Sequence, residues 1–171
     1  MISREALKQI VMMRYLSDDM LDKLIPITEL LQYDEKEFVF HQGDKADRYF
    51  SVLQGKVLLE QRIATGVTVS ISSIKAGFGF GWSALLDEEA EFYTSDAICA
   101  EPAQLLSFRA EKLKALFDKD YHLGYIMSHR LLHVVKKRYD IRTEQFLKVI
   151  RHHPEIGSLL QKEKDDNNRK K

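Results

Sequence analysis

Two glycine-framed segments constrain this chain more than any other feature. From Gly43 to Gly55 it reads Gly-Asp-Lys-Ala-Asp-Arg-Tyr-Phe-Ser-Val-Leu-Gln-Gly, and further on comes Phe78-Gly-Phe-Gly-Trp-Ser-Ala-Leu-Leu86, followed by Phe92-Tyr-Thr-Ser-Asp96. Gly43 and Gly55 bracket an apolar stretch, Tyr49 to Leu53, of the length of one strand between two tight turns, where glycine takes positive φ without steric cost. In the second segment the glycines precede a short helix-forming run. The backbone N–H groups of Trp82, Ser83 and Ala84 are therefore candidates to face an anion.

The periodicity around these segments changes twice. Leu7, Ile10, Val11 and Arg14 recur at helical spacing, and Ser17 followed by Asp18 and Asp19 caps a second helix containing Leu21, Leu24 and Ile25. Pro26 disrupts that helix, and from Tyr33 the pattern predicts strands: Phe38 and Phe40, Tyr49 to Leu53, Val57 to Leu59, Val67 to Ile71 and Leu105 to Phe108. Ala64-Thr65-Gly66 reads as a hairpin turn, and Lys75-Ala76-Gly77 turns into the second glycine segment; short strands at such intervals indicate a β-roll or sandwich. From Glu111 the helical period returns through Leu113, Leu116 and Phe117. A longer helix then runs from about Tyr121 to His152, with Leu132, Val135, Tyr139, Phe146 and Val149 on a stripe that predicts a dimer seam.

Over about residues 17–147 the order and spacing of these segments resemble the cyclic nucleotide-binding domain of the cAMP receptor protein superfamily. The resemblance implies a mainly β fold with flanking helices: a double-stranded β-helix, or jelly roll, followed by a long C-terminal dimerisation helix. It divides the chain into a single such domain over residues 1–152, with a helical lead-in at 1–32, a β-roll at 33–110 and C-terminal helices at 111–152. Residues 153–171 are expected to be a short remnant and a disordered, charge-rich tail. In that family the phosphate-binding cassette carries a Gly-Glu pair whose Glu holds the ribose hydroxyl, and an Arg further on that holds the cyclic phosphate. Here Gly81 is kept, Trp82 stands where the Glu would be and Thr94 where the Arg would be. The candidate ligand-binding residues are therefore Gly81, Trp82, Ser83, Ala84, Thr94 and Ser95, with Arg142 and Thr143 of the long helix aligning with positions that approach the purine. Trp82 either stacks on a ligand or fills the pocket, and Arg142 is either a helix-borne positive charge for the site or a solvated salt-bridging residue.

Composition narrows the function classes. With 171 residues and 44% apolar content the chain is long enough for one domain with a real core, and no internal repeat is evident. Its 26 basic residues balance 26 acidic ones, so no whole-chain field recruits nucleic acid or an anionic membrane surface. Regulators of this superfamily continue into a winged helix-turn-helix domain, and the sequence is expected to lack one and not to bind DNA. The single Cys99, in an apolar run, suits a reducing compartment and a buried, inert thiol. Charged residues interrupt any amino-terminal apolar run and no membrane span is expected, so the predicted location is cytoplasmic.

No catalytic constellation is present: there is no Gly-x-Ser-x-Gly elbow, and Ser83 has no histidine assigned near it. The acidic run Asp87, Glu88 and Glu89 reads as an exposed loop. His122, His129 and His133 fall seven and four residues apart on one helical stripe, but no Glu or Cys completes a tight set, so no metal site is assigned. The sequence thus points to a non-enzymatic sensing module, homodimeric through its last helix, that takes no cofactor, responds to a small anionic or nucleotide-like ligand and passes the signal to a protein partner. The competing reading is a ligand-free dimeric scaffold with a vestigial pocket.

Overall fold

A computed structural model describes residues 2–86, 92–154 and 156; the acidic run Asp87, Glu88 and Glu89 and the tail from 157 onward lie outside them. The chain divides into two compact units, Met1–Met127 and Ser128–Lys171. In the first, two short helices open the chain. Ser3 caps α1 (Arg4–Lys8), its Oγ accepting from the Ala6 N–H at 3.2 Å, and Ser17 caps α2 (Asp18–Leu24), accepting from the Met20 N–H at 3.3 Å. Asp18 and Asp19 sit in the first turn of α2, where the helix dipole favours negative charge. Pro26 ends that helix in a 3-10 turn, Ile25–Ile27, and the Thr28 hydroxyl takes up the Leu24 carbonyl at 2.7 Å.

The first strand, β1 (Thr28–Tyr33), begins there, five residues before the expected start of the β-roll at 33. Glu29, Leu30 and Leu31 carry no period of their own; pairing with a distant strand makes this stretch extended. The predicted strands then follow as β2 (Phe38–Phe40), β3 (Arg48–Gln54), β4 (Lys56–Ala64) and β5 (Val67–Lys75). Two further strands escape the sequence pattern, β6 (Gly79–Phe80) and β7 (Asp96–Cys99), too short to show a period and held by their pairing with β3 and β4. β8 (Ala103–Arg109) completes two four-stranded antiparallel sheets, in the orders β1-β8-β3-β6 and β2-β7-β4-β5. This is the expected jelly-roll-like β-roll with flanking helices.

The two sheets enclose a core that includes Phe40, Phe50, Val52, Phe80, Tyr93 and Leu105. β8 is buried on both faces: Leu105 enters this core, while Leu106 and Phe108 alternate with it onto the other side, where the Tyr49 ring lies 6.2 Å from Phe108 and its hydroxyl reaches Met12 Sδ at 3.0 Å. The amino-terminal segment thus roofs one sheet. After β8 come α3 (Ala110–Lys119) and α4 (Tyr121–Arg151), the latter running on into the second unit. In the second unit Leu132, Tyr139, Phe146 and Val149 are 63–72% exposed.

Candidate functional site

Gly81 sits in the left-handed region at φ +77° and opens a 3-10 turn, Trp82–Leu85. A β-carbon on it would meet the Arg48 carbonyl at 3.0 Å, the Phe50 ring at 3.3 Å and the Tyr93 ring at 3.4 Å, so glycine is required for both conformation and space. This fixes the cassette turn against the start of β3 and against Tyr93. The Ala84 N–H does not face outward as the sequence suggested: it closes the turn on the Gly81 carbonyl at 3.2 Å, and its methyl is buried. Trp82 and Ser83 are half-buried. Thr94 is exposed, its carbonyl accepting from Gln61 Nε2 at 2.9 Å, and Ser95 beside it is buried.

Behind Gly81 the interior of the roll is aromatic. Phe40 and Tyr93 stack with ring centroids 3.6 Å apart and planes 10° from parallel, and Phe50 stacks on Phe80 at 5.3 Å. The Tyr93 hydroxyl is tied at both ends, donating to the Arg48 carbonyl at 2.8 Å and accepting from the Arg48 N–H at 3.2 Å. Burial pushes its phenol up to about 12, so the ring stays neutral. The residue filling the space beside the cassette is therefore Tyr93, adjacent to Thr94 on which the sequence focused attention. No signal in the sequence pointed to it, because Phe92 and Tyr93 are adjacent aromatic residues outside any strand and only the fold exposes the first and buries the second.

Beside the same turn lies a charge cluster that the sequence did not assemble. Arg48 Nη1 donates to Glu29 Oε2 at 2.7 Å and to Ser107 Oγ at 2.9 Å, and Arg109 Nε approaches Glu29 Oε1 at 3.5 Å. Register explains the meeting, since Glu29 and Phe50 both pair with Ser107 and Arg48 pairs with Arg109, all on the face that carries Leu105 inward. The hydrogen bond from Arg48 holds the Glu29 carboxyl below its usual range. Two guanidiniums thus share one carboxylate. Reading Glu29 as part of a helical lead-in hid this partner.

The remaining candidates lie apart from this turn in sequence and in unit. Arg142 and Thr143 belong to the second unit and are exposed, and the Thr143 hydroxyl donates to the Tyr139 carbonyl one turn back at 3.0 Å. His129 and His133 meet edge to face at 4.9 Å, and among the described residues no group of three His, Cys, Asp or Glu could hold a metal ion. Cys99 is fully buried and its thiol is pushed up to about 11 by that burial, as an inert core cysteine requires. No helix among the described residues is long and apolar enough to cross a membrane.

A jelly-roll of two four-stranded sheets with a glycine-opened turn between β6 and β7, followed in sequence by a long helix, is the plan of a cyclic nucleotide-binding-like domain. The chain belongs to the cyclic nucleotide-binding domain family, whose sequence model matches residues 30–120. It is similar to a crystal structure of a protein from Geobacter metallireducens GS-15 assigned to cyclic nucleotide binding, with 26% identity, a TM-score of 0.70 and coverage of 81% of this chain and 99% of that one. The sensor domain of the transcriptional regulator DNR from Pseudomonas aeruginosa shares the fold at 20% identity and a TM-score of 0.64, over 80% of this chain and 91% of that one. The global nitrogen regulator of Nostoc sp. strain PCC 7120 is 24% identical over 137 residues, which is 79% of this chain and 57% of that protein. This chain therefore spans little more than half the length of that curated relative.

Proposed function

We propose that this chain is a non-catalytic sensing module of the cyclic nucleotide-binding fold, dimeric through α4, that responds to a small anionic or aromatic ligand other than cAMP or cGMP. The observation that carries the reading is the backbone of the cassette turn, in which Gly81 holds φ +77° beside Arg48, while the positions that the family resemblance assigns to the polar anchors carry Trp82 and Thr94. Positive charge at this end of the roll comes instead from Arg48 and Arg109, whose shared carboxylate leaves a net charge of one sign. A signal would pass by shifting the position of α4, which demands that the ligand bind two arrangements unequally. The similarity to regulators and to a sensor domain supports a regulatory role over an enzymatic one.

A second reading, the ligand-free scaffold, is favoured by the Phe40–Tyr93 stack that occupies the interior behind Gly81. One experiment separates the two. Trp82 is the only tryptophan in the chain and lies in the cassette itself, so its emission reports on this site alone. Purified protein is titrated with a panel of nucleotides, carboxylates and planar aromatic acids, read by melting temperature and by Trp82 fluorescence together. A compound that raises the melting temperature and moves the Trp82 emission establishes sensing, because a state-specific ligand stabilises by mass action. A panel without effect on either leaves the scaffold.

A further inference from the structure

Three glutamines stand in one row across three neighbouring strands. Gln32 of β1 pairs with Gln104 of β8, and Gln104 pairs with Gln54 of β3. Ala103 and Leu105 face the core between the sheets, so alternation turns Gln104 to the other face, as it does Gln32 between Leu31 and Tyr33; at Gln54 a register shift after Val52 interrupts the alternation, and its side chain lines the same cavity as the other two. None of the three side-chain amides has a hydrogen-bond partner among the described residues. The row borders an open cavity of about 450 Å³, a volume suited to a small ligand.

The rest of the lining fixes the chemistry. Asp34 and Glu37 from the turn between β1 and β2 add two carboxylates, and the cavity has no Lys or Arg in its wall. Glu37 is held in place by accepting from the Asp34 N–H through Oε2 at 2.7 Å, while the Asp34 carboxylate has no partner among the described residues. Anions are therefore disfavoured here, in contrast to the cassette end, which lies at the other end of β3 a strand's length of about 20 Å away. A row of amides offers donors and acceptors at intervals of about 4.8 Å, the spacing between strands, and so suits an extended polar molecule with repeated hydrogen-bonding groups.

We propose that this cavity is a second ligand site, independent of the cassette, that takes a small organic cation bearing amine or guanidinium groups. The carboxylates of Asp34 and Glu37 neutralise the cation, and the carbonyl oxygens of Gln32, Gln104 and Gln54 accept from its N–H groups. The proposal does not depend on what the cassette binds.

Side-chain amide protons of glutamine are seen directly in nitrogen-correlated proton spectra, which makes the test specific. The labelled 171-residue chain is titrated with spermidine and with agmatine, and in parallel with inorganic phosphate and with sodium chloride at matched ionic strength. Saturable shifts of the Gln32, Gln54 and Gln104 amides with the two amines, with Gln61 and Gln145 as unmoved references, are expected. Asp34→Asn and Gln104→Ala should each weaken the binding about fivefold or more. Gln54→Glu, at an exposed position that tolerates the change, should tighten it. No saturable shift up to about 10 mM amine overturns the proposal, that concentration marking affinities too weak for a built site. So do equal shifts with sodium chloride, or undiminished binding in the Asp34→Asn, Gln104→Ala double variant.

Discussion

A β-carbon at Gly55 would lie 2.5 Å from the Pro102 carbonyl oxygen and 2.9 Å from the Ala103 Cα, both backbone, at φ +85°. At Gly43, its counterpart in the sequence, φ is +89° but nothing lies within 4 Å. Gly55→Ala should therefore cost about 3 kcal/mol or more, while Gly43→Ala should cost about 1 kcal/mol, the strain of the left-handed conformation alone. Denaturant titration of both variants checks the contrast; equal losses would show that backbone conformation, rather than the approach of β8, decides the cost. The need for glycine at both positions was legible from the chain, because turns flank the apolar stretch. The unequal reasons were not, since one of them depends on a segment some fifty residues away in the sequence. The cassette shows the same division. Gly81 and its turn could be read from the order of glycines, whereas the stacking of Tyr93 on Phe40 and the pairing of Arg48 with Glu29 arise from strand register, which no local pattern encodes.

The sequence pattern located β2, β3, β4, β5 and β8, with β4 and β5 running several residues past their anticipated ends, whereas β1, β6 and β7 were supplied by their partners. β3 and β8 are seven residues long and mostly buried, as their apolar runs require, and β4 and β5 are nine residues long, whereas β6 and β7 have two and four residues and exist only as rungs beside β3 and β4. In α4 the period is unusually regular. Tyr125, Leu132, Tyr139 and Phe146 recur every seven residues, Val135 and Val149 follow Leu132 and Phe146 by three, and Leu132, Tyr139, Phe146 and Val149 are all well exposed in the single chain. These are the two core positions of a heptad repeat, which is the pattern by which a helix pairs with its copy. Arg142 falls on the same seam, seven residues after Val135 and seven before Val149. Val135→Glu should give monomer in light scattering, because a charge would be buried without a partner, and Arg142→Leu should tighten the dimer by replacing a seam charge with an apolar side chain. A wild-type chain already monomeric at high concentration, or an Arg142→Leu variant that dissociates more readily, would remove the seam.

The folded molecule as a whole sets two further outcomes. Glu29 titrates below its ordinary value of 4.5 in the folded chain, chiefly through its hydrogen bond from Arg48, so its contribution to stability is present above that value and is lost as pH falls through the lower, folded one. Melting temperature should accordingly drop on acidification below about pH 4.5, and less steeply in Glu29→Gln. A parallel drop in both would assign the acid limb to other carboxylates. The larger test concerns the nucleotide itself. A cyclic phosphate bound without its arginine lacks an interaction worth about 2–5 kcal/mol in comparable buried pairs, and Thr94 offers no charge to restore it. Arg48 is already committed to Glu29 and Ser107, and ligand entry behind Gly81 must also displace Tyr93 from its stack and from the Arg48 backbone. Isothermal titration should therefore find cAMP and cGMP binding much weaker than about 1 μM, an affinity corresponding to roughly −8 kcal/mol. Restoring the anchors as Trp82→Glu with Thr94→Arg should not recover tight binding while Tyr93 remains, and should do so better once Tyr93→Ala is added. Micromolar or tighter binding by the unmodified chain would mean that Arg48 and Arg109 release Glu29 to hold the phosphate and that the aromatic interior opens readily.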